Sequence, residues 1–150
     1  MLDVPYFHVV FTIPDSLNVL AQYAPAILYA ILLRAAGQAL LDVGRTKLRA
    51  LVGVLTVLHT WGQTLVFHPH IHCIVPGGGF SLDGRRWVRV PTGTFLLYYK
   101  ALSRCFRTHF KNAITEAFDD ATLKVPTSVL ADRQALDLML TLASKTSTTS

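Results

Sequence analysis

Five consecutive residues, His68-Pro69-His70-Ile71-His72, hold the densest group of metal-ligating side chains in this 150-residue chain. Alternate side chains of a β-strand share a face, so an extended backbone projects His68, His70 and His72 to one side and Phe67, Ile71 and Cys73 to the other. Same-face residues lie about 7 Å apart along a strand, close enough for two imidazoles to lean toward one ion while a neighbouring strand supplies a third ligand. One histidine on a strand is usually a half-buried polar residue, but three at period two form a row of nitrogen donors suited to a divalent metal. Pro69 has no N–H for a ladder, which predicts a strand edge or a bulge, and bulges are common beside active sites.

The elements that must position this row follow from the flanking patterns. Tyr6 to Ile13 is aromatic and β-branched and stops at Pro14-Asp15-Ser16, which reads as a first strand, a turn and a helix cap. Helical spacing runs from Leu17 to about Leu41, with a break at Pro25. Leu51 to Trp61 and Leu65 to Val75 are β-rich with Gly62 and Gln63 between them, an antiparallel hairpin. Pro76-Gly77-Gly78-Gly79 reads as the end of the second strand, and Gly84 as a turn before a short strand at Arg86 to Val90. A sheet of three or four strands results. Thr94 is placed to cap a helix with apolar positions Phe95, Tyr99, Leu102, Phe106, Ala113 and Ala117, and a further helix is expected from Ala131 to Ala143. The domain is then 1–143, followed by a polar tail at 144–150.

Bulk composition narrows the class. With 51% hydrophobic and 15% charged residues, the chain is built to bury a core and is neither disordered nor a linker. Its net charge of +5 suits a polyanionic partner, and placement matters more than the sum. Between Gly84 and Thr115 stand seven cations (Arg85, Arg86, Arg89, Lys100, Arg104, Arg107 and Lys111) and no acid. Lys100, Arg104, Arg107 and Lys111 form one helical stripe able to neutralise phosphates, and Arg85 with Arg86 forms a second patch. Two cysteines without a CxxC motif support neither a disulfide scaffold nor a zinc ribbon, and a reducing cytoplasm is the expected location. The apolar stretch Ala24 to Leu41 carries Arg34, Gly37 and Gln38 and reads as a soluble helix, so no membrane partner is expected.

The stretch Leu58-His59-Thr60-Trp61-Gly62-Gln63-Thr64-Leu65-Val66-Phe67-His68-Pro69-His70-Ile71-His72-Cys73-Ile74-Val75-Pro76-Gly77-Gly78-Gly79 resembles the HUH motif region of the two-tyrosine transposases of rolling-circle insertion sequences. Val4 to Pro14 upstream and the helix around Leu102-Ser103-Arg104-Cys105-Phe106-Arg107 downstream agree in order and spacing, so the resemblance covers about Val4 to Ala143. A bare His-hydrophobic-His occurs by chance; the flanks make the match specific.

The resemblance implies an α+β fold, an HUH-endonuclease-like antiparallel sheet with flanking helices. It implies a divalent ion, magnesium or manganese, that polarises a scissile phosphate while a tyrosine attacks and leaves a 5′-phosphotyrosine link. His70 and His72 correspond to the HUH histidines, and His68 becomes a bystander. The third ligand is a Glu, Gln or His supplied upstream: Gln63, seven residues before His70, has a familiar spacing, and His59, eleven before, is the rival. A tight hairpin turning at Gln63 and Thr64 sets His59 opposite His68 and Val57 opposite His70, and one residue of slip flips the facing side chains. His8 on the first strand is placed as a supporting or structural residue near the same face.

The departure from the family pattern is the nucleophile. The family's tyrosine-leucine-x-arginine-tyrosine segment is absent from these residues, and Tyr98 and Tyr99 fall in the helix that precedes it, where core packing is the expected role. The family's cysteine-rich zinc segment is likewise absent, so the chain reads as a truncated transposase. Three functions follow. It is a transposase fragment that binds single-stranded transposon ends and a divalent metal without the tyrosine for strand nicking and joining; a catalytically inactive DNA-binding module; or a non-functional remnant of a decayed transposase gene. A mean hydropathy of +0.40 adds an expectation of exposed apolar surface and self-association.

Overall fold

The computed structural model describes residues 3–62, 66–90 and 98–146, with side chains through Thr141. Strand β1 (Tyr6–Thr12) is followed by a 3-10 turn, helix α1 (Asn18–Tyr23) and helix α2 (Pro25–Val43). Pro25 falls at the start of α2, where its missing N–H has no helical partner to lose, so the expected break becomes a helix boundary. The chain then turns through Gly44–Leu48 into β2 (Ala50–Val52) and β3 (Leu55–Trp61), crosses to β4 (Phe67–Pro76) and β5 (Gly78–Ser81), and makes the short β6 (Trp87–Arg89). Helices α3 (Tyr99–Asp119) and α4 (Arg133–Thr146) complete the described chain. Thr94 and Phe95, placed at the start of the α3 helix by sequence, lie outside the described residues.

Two antiparallel three-stranded sheets form, in the orders β1-β4-β3 and β2-β5-β6. They are two halves of one long hairpin. The run 50–61 is interrupted at Gly53 and Val54, and the run 67–81 at Gly77, so β2 pairs with β5 and β3 with β4. The Gly77-Gly78-Gly79 run, expected to end the second strand, largely continues it. A Cβ at Gly78 would stand 2.6 Å from the Trp87 indole, and one at Gly79 only 2.4 Å from the Leu51 carbonyl oxygen. These glycines are strand residues because a side chain and a backbone press against them, an approach no local pattern announces.

The core lies on one side of this hairpin. Ile71, Cys73 and Val75 of β4 point into it and are fully buried. Helix α2 packs there through Leu28, Leu32, Ala36 and Leu40, all at zero exposure. By length and composition Pro25–Leu48 is apolar enough to cross a membrane; here that apolar surface forms the heart of the domain. Helix α3 adds Leu102, Phe106, Phe110, Ile114 and Ala117, with Phe106 stacked on Phe11 of β1 at 4.7 Å. A hydrogen bond from α3 to α2, His109 Nε2 to Asp42 Oδ2 at 2.6 Å, pins the two helices. Helix α4 buries Leu136 and Leu140 and runs to Thr146, past the expected end at Ala143.

Tyr99 departs from the expected core role. It continues the angular line of the buried α3 stripe, but it is the first residue of the helix and is 62% exposed. Its neighbour Tyr98 does pack against the core.

Candidate metal centre

Because the core covers one side of the sheet, the other side is open, and the pleat decides which residues reach it. On β4 the buried residues Ile71, Cys73 and Val75 alternate with His70, His72 and Ile74. On β1 the more exposed residues are Tyr6, His8, Val10 and Thr12; on β3 they are Leu55, Val57, His59 and Trp61. Five of the six histidines therefore belong to one small sheet, the sixth being His109.

Register brings three of them together. His59 stands opposite His70 and Val57 opposite His72, while Val10 and Thr12 flank from β1. Compared with the tight hairpin expected from sequence, this register is displaced by two residues. The parity is kept, so His59 remains on the histidine face but now meets His70 instead of His68. The cause is a wider connection, closed by the Gly62 N–H to the Val66 carbonyl at 2.9 Å, together with a shift of register between His59 and Trp61. At that shift one β3 residue, Thr60, faces two of β4, His68 and Pro69. Pro69, which lacks an N–H, thus sits at a bulge within a central strand rather than on an edge.

Potential ligand nitrogens of His59, His70 and His72 all lie within 4.8 Å of one another. The ring centroids are 5.4 Å apart for His59 and His70, 4.3 Å for His59 and His72, and 4.8 Å for His70 and His72. Nitrogens sharing an ion at about 2.1 Å stand roughly 3–4 Å apart, so a short swing of the rings closes the triangle. Gln63, the other third-ligand candidate from sequence, lies outside the described residues.

Hydrogen bonds prepare these rings. The His70 Nδ1–H donates to the His68 carbonyl at 2.7 Å, leaving Nε2 with its lone pair outward. His72 Nδ1 meets His8 Nε2 at 2.7 Å, and the two rings stack at 4.9 Å with planes 8° apart. A neutral His72 that offers Nε2 to a metal carries its proton on Nδ1 and so donates to His8. The side chain of His68 turns to Asp15 instead, with Nδ1 at 3.1 Å from Oδ1; its carbonyl, not its ring, serves the cluster. Partial desolvation, and then the neighbouring His59, His70 and His8, hold His72 below the usual histidine range. His72 therefore favours the neutral imidazole, the form that binds metal. Cys73, one residue on and facing the core, offers no ligand: burial pushes its thiol up to about 11.

The predicted DNA contacts separate into two places. Lys100, Arg104, Arg107 and Lys111 fall within about 60° of the α3 circumference, given 100° per residue. Two of them, Arg107 and Lys111, lie near β1. Arg107 and Lys111 border a groove of about 470 Å³ that also touches Val10, Thr12 and Tyr99. Among the described residues, Lys100, Arg104 and Lys111 make no ion pair with an acid. Arg85 and Arg86 lie instead in the turn between β5 and β6.

An antiparallel sheet backed by helices, with clustered histidines on its open face, defines an α+β fold of the HUH-endonuclease type. Residues 53–147 match the family described as "Putative transposase" (Y2_Tnp), and the chain belongs to this two-tyrosine transposase family. The protein described as "Putative transposase y4qJ" of Sinorhizobium fredii (strain NBRC 101917 / NGR234) is 44% identical over 126 residues, covering 83% of this chain and 31% of that protein. The transposase for insertion sequence element IS801 of Pseudomonas savastanoi pv. phaseolicola is 40% identical over 82 residues, covering 55% of this chain and 20% of that protein. This chain thus spans a third or less of these relatives' length. Among solved structures it is similar to the conjugative relaxase TrwC in complex with oriT DNA, in copper-bound and metal-free forms. Each has a TM-score of 0.57 and 14% identity; each match covers 73% of this chain, and 42% and 43% of the TrwC chains. At that identity the likeness concerns the fold.

Proposed function

We propose that this chain is the metal-binding part of a rolling-circle DNA transposase, with His59, His70 and His72 as the ligands and single-stranded transposon DNA as the partner. The observation that carries this reading is the convergence of the three imidazoles on the open face, with His70 and His72 each steadied through Nδ1. A divalent ion held there supplies Lewis-acid polarisation of a scissile phosphate and orients it. Three neutral nitrogens suit manganese better than magnesium, which prefers oxygen ligands. The chain's own part is to hold the ligand nitrogens, and to hold a DNA strand through Arg85 and Arg86 and the α3 cations Lys100, Arg104, Arg107 and Lys111.

The covalent step of the family needs a tyrosine oxygen to bond to phosphorus as the 3′ oxygen leaves. In this reading the 150 residues bind metal and DNA without making that bond. Manganese should raise the thermal midpoint of the chain, and His70→Ala with His72→Ala should abolish the shift; an unchanged shift overturns the assignment. Labelled oligonucleotide with manganese, run on a denaturing gel, should show no protein-linked band. A band that Tyr99→Phe removes would instead identify Tyr99 as a nucleophile.

The position of the α3 stripe supports a second reading, a metal-independent DNA-binding module. Gel shifts that ignore chelator and fall steeply with salt favour it.

A further inference from the structure

The open face does not stop at the histidines. Parity is preserved across the break at Gly77: Ile71, Cys73 and Val75 are buried on one side, as are Gly79 and Ser81, so Phe80 emerges on the side of His70 and His72. Leu51 of β2 stands directly opposite Phe80, and Trp87 of β6 directly opposite on the other flank. The three side chains form a row across the second sheet, with Phe80 53% and Leu51 37% exposed. The row is rigid. The Trp87 indole rests against the backbone of Gly78, and the Phe80 ring meets it edge-on at 5.6 Å and 85°.

Arginines flank this row along the chain. Arg89 shares the face of Trp87 two residues on; Arg49 precedes β2; Arg85 and Arg86 occupy the adjoining turn. The nearby acid, Asp83, is already engaged, accepting hydrogen bonds from the Ser81 hydroxyl and, at 3.1 Å, from the Arg85 N–H. Among the described residues none of the four arginines makes an ion pair with an acid.

We propose that Leu51, Phe80 and Trp87, ringed by Arg49, Arg85, Arg86 and Arg89, form a stacking platform for unpaired bases of a DNA strand that continues along the sheet from the histidine cluster. Flat rings with exposed faces take bases of any sequence, and arginines at the rim neutralise the phosphates between them. A duplex keeps its bases stacked inside and cannot use such rings, so the platform selects single strands. The eight residues from His72 to Phe80 span at most about 26 Å of strand, a distance a few extended nucleotides bridge. The identity of the polymer as DNA rests on the transposase reading; the platform itself does not need the metal.

The test uses the full chain, a short labelled oligothymidylate and EDTA. Fluorescence anisotropy should show binding without metal, and Phe80→Ala should raise Kd about 5- to 150-fold, the range of a lost base stack. Phe80→Tyr, which restores a ring, should recover affinity to within about threefold. In a Trp61→Phe background Trp87 is the remaining indole, and the oligonucleotide should quench it. Unchanged affinity in Phe80→Ala, an unquenched Trp87, or equal competition by duplex of the same length overturns the platform. So does a Phe80→Ala variant whose only change is loss of a dimer in sedimentation, which makes the row a contact between copies. Manganese-induced thermal stabilisation, measured on the same variants, reads the histidine site separately. Stabilisation with no effect of Phe80 sinks the platform alone; the reverse sinks the metal reading alone.

Discussion

The two sheets share two runs of chain, 50–61 and 67–81, each adding one strand of its own, β1 or β6, yet they carry different chemistry. The first sheet is rich in imidazole: His8, His59, His70 and His72 lie within touching distance across three strands. The second holds no histidine and carries rings and guanidinium groups. The difference lies in what sits beneath. Under the histidines the strands keep side chains such as Ile71 and Cys73 on the core face, which leaves the outer side chains at regular spacing. Under the platform Gly78 gives up its own side chain so that Trp87 can lie flat. A hairpin can thus change function along its length without changing its fold.

Several substitutions would break or sharpen this division. The largest effect is expected from the pair His70→Ala with His72→Ala: manganese stabilisation disappears, while oligothymidylate affinity in EDTA stays within about twofold. Next, Ile71→Ala empties a fully buried position beneath the histidines and should cost about 2–5 kcal/mol in chemical denaturation. That variant should weaken both sheets together, since it damages what they share. His8→Ala removes the hydrogen-bond partner of His72 and should lower metal affinity about 10- to 100-fold by calorimetry with little loss of stability. A His8→Ala protein with unchanged metal affinity would separate His8 from the cluster.

Acid should act mainly on the first sheet. His72 titrates below its ordinary value when folded, so the unfolded chain takes up that proton more readily. This contribution to stability is complete above about pH 6.5, and it is lost as the pH falls from there through the lower folded value. Manganese binding should fade over the same interval, with stacking at Phe80 much less affected. The smallest effect belongs to Asp42→Asn, remote from both sheets. Burial raises the Asp42 carboxyl, but hydrogen bonds from His109 and Gln38 outweigh it and hold the group low. Weakening that pin should cost about 1 kcal/mol, visible as a small shift in the denaturation midpoint, and should leave metal and DNA binding alone.

The histidine row and the hairpin were legible because period-two alternation is a local property of the sequence; the α+β class came with the family resemblance. His59 was visible as a ligand candidate, but its partner was not. Which residue it faces depends on the width of the connection after Trp61 and on the bulge at Pro69, and one or two residues at a turn decide that. The glycine run was misleading for a similar reason: Gly78 is a strand residue only because Trp87, nine positions later, covers it. Tyr99 carries the right helical phase for the core yet is exposed while Tyr98 beside it packs there, a tertiary outcome that helical phase does not give. The platform left only scattered marks, an aromatic on each of two short strands and arginines in the turns, and nothing in their spacing joins them.

The open triangle of His59, His70 and His72 has a practical consequence. Three imidazoles gathered on an accessible sheet face resemble the part of a polyhistidine tag that grips an immobilised ion, already folded into shape. The untagged chain should therefore be retained on a nickel resin and released by modest imidazole, and His59→Ala should elute earlier. Any preparation made that way would carry leached nickel at these histidines, so stripping with chelator belongs before every manganese titration.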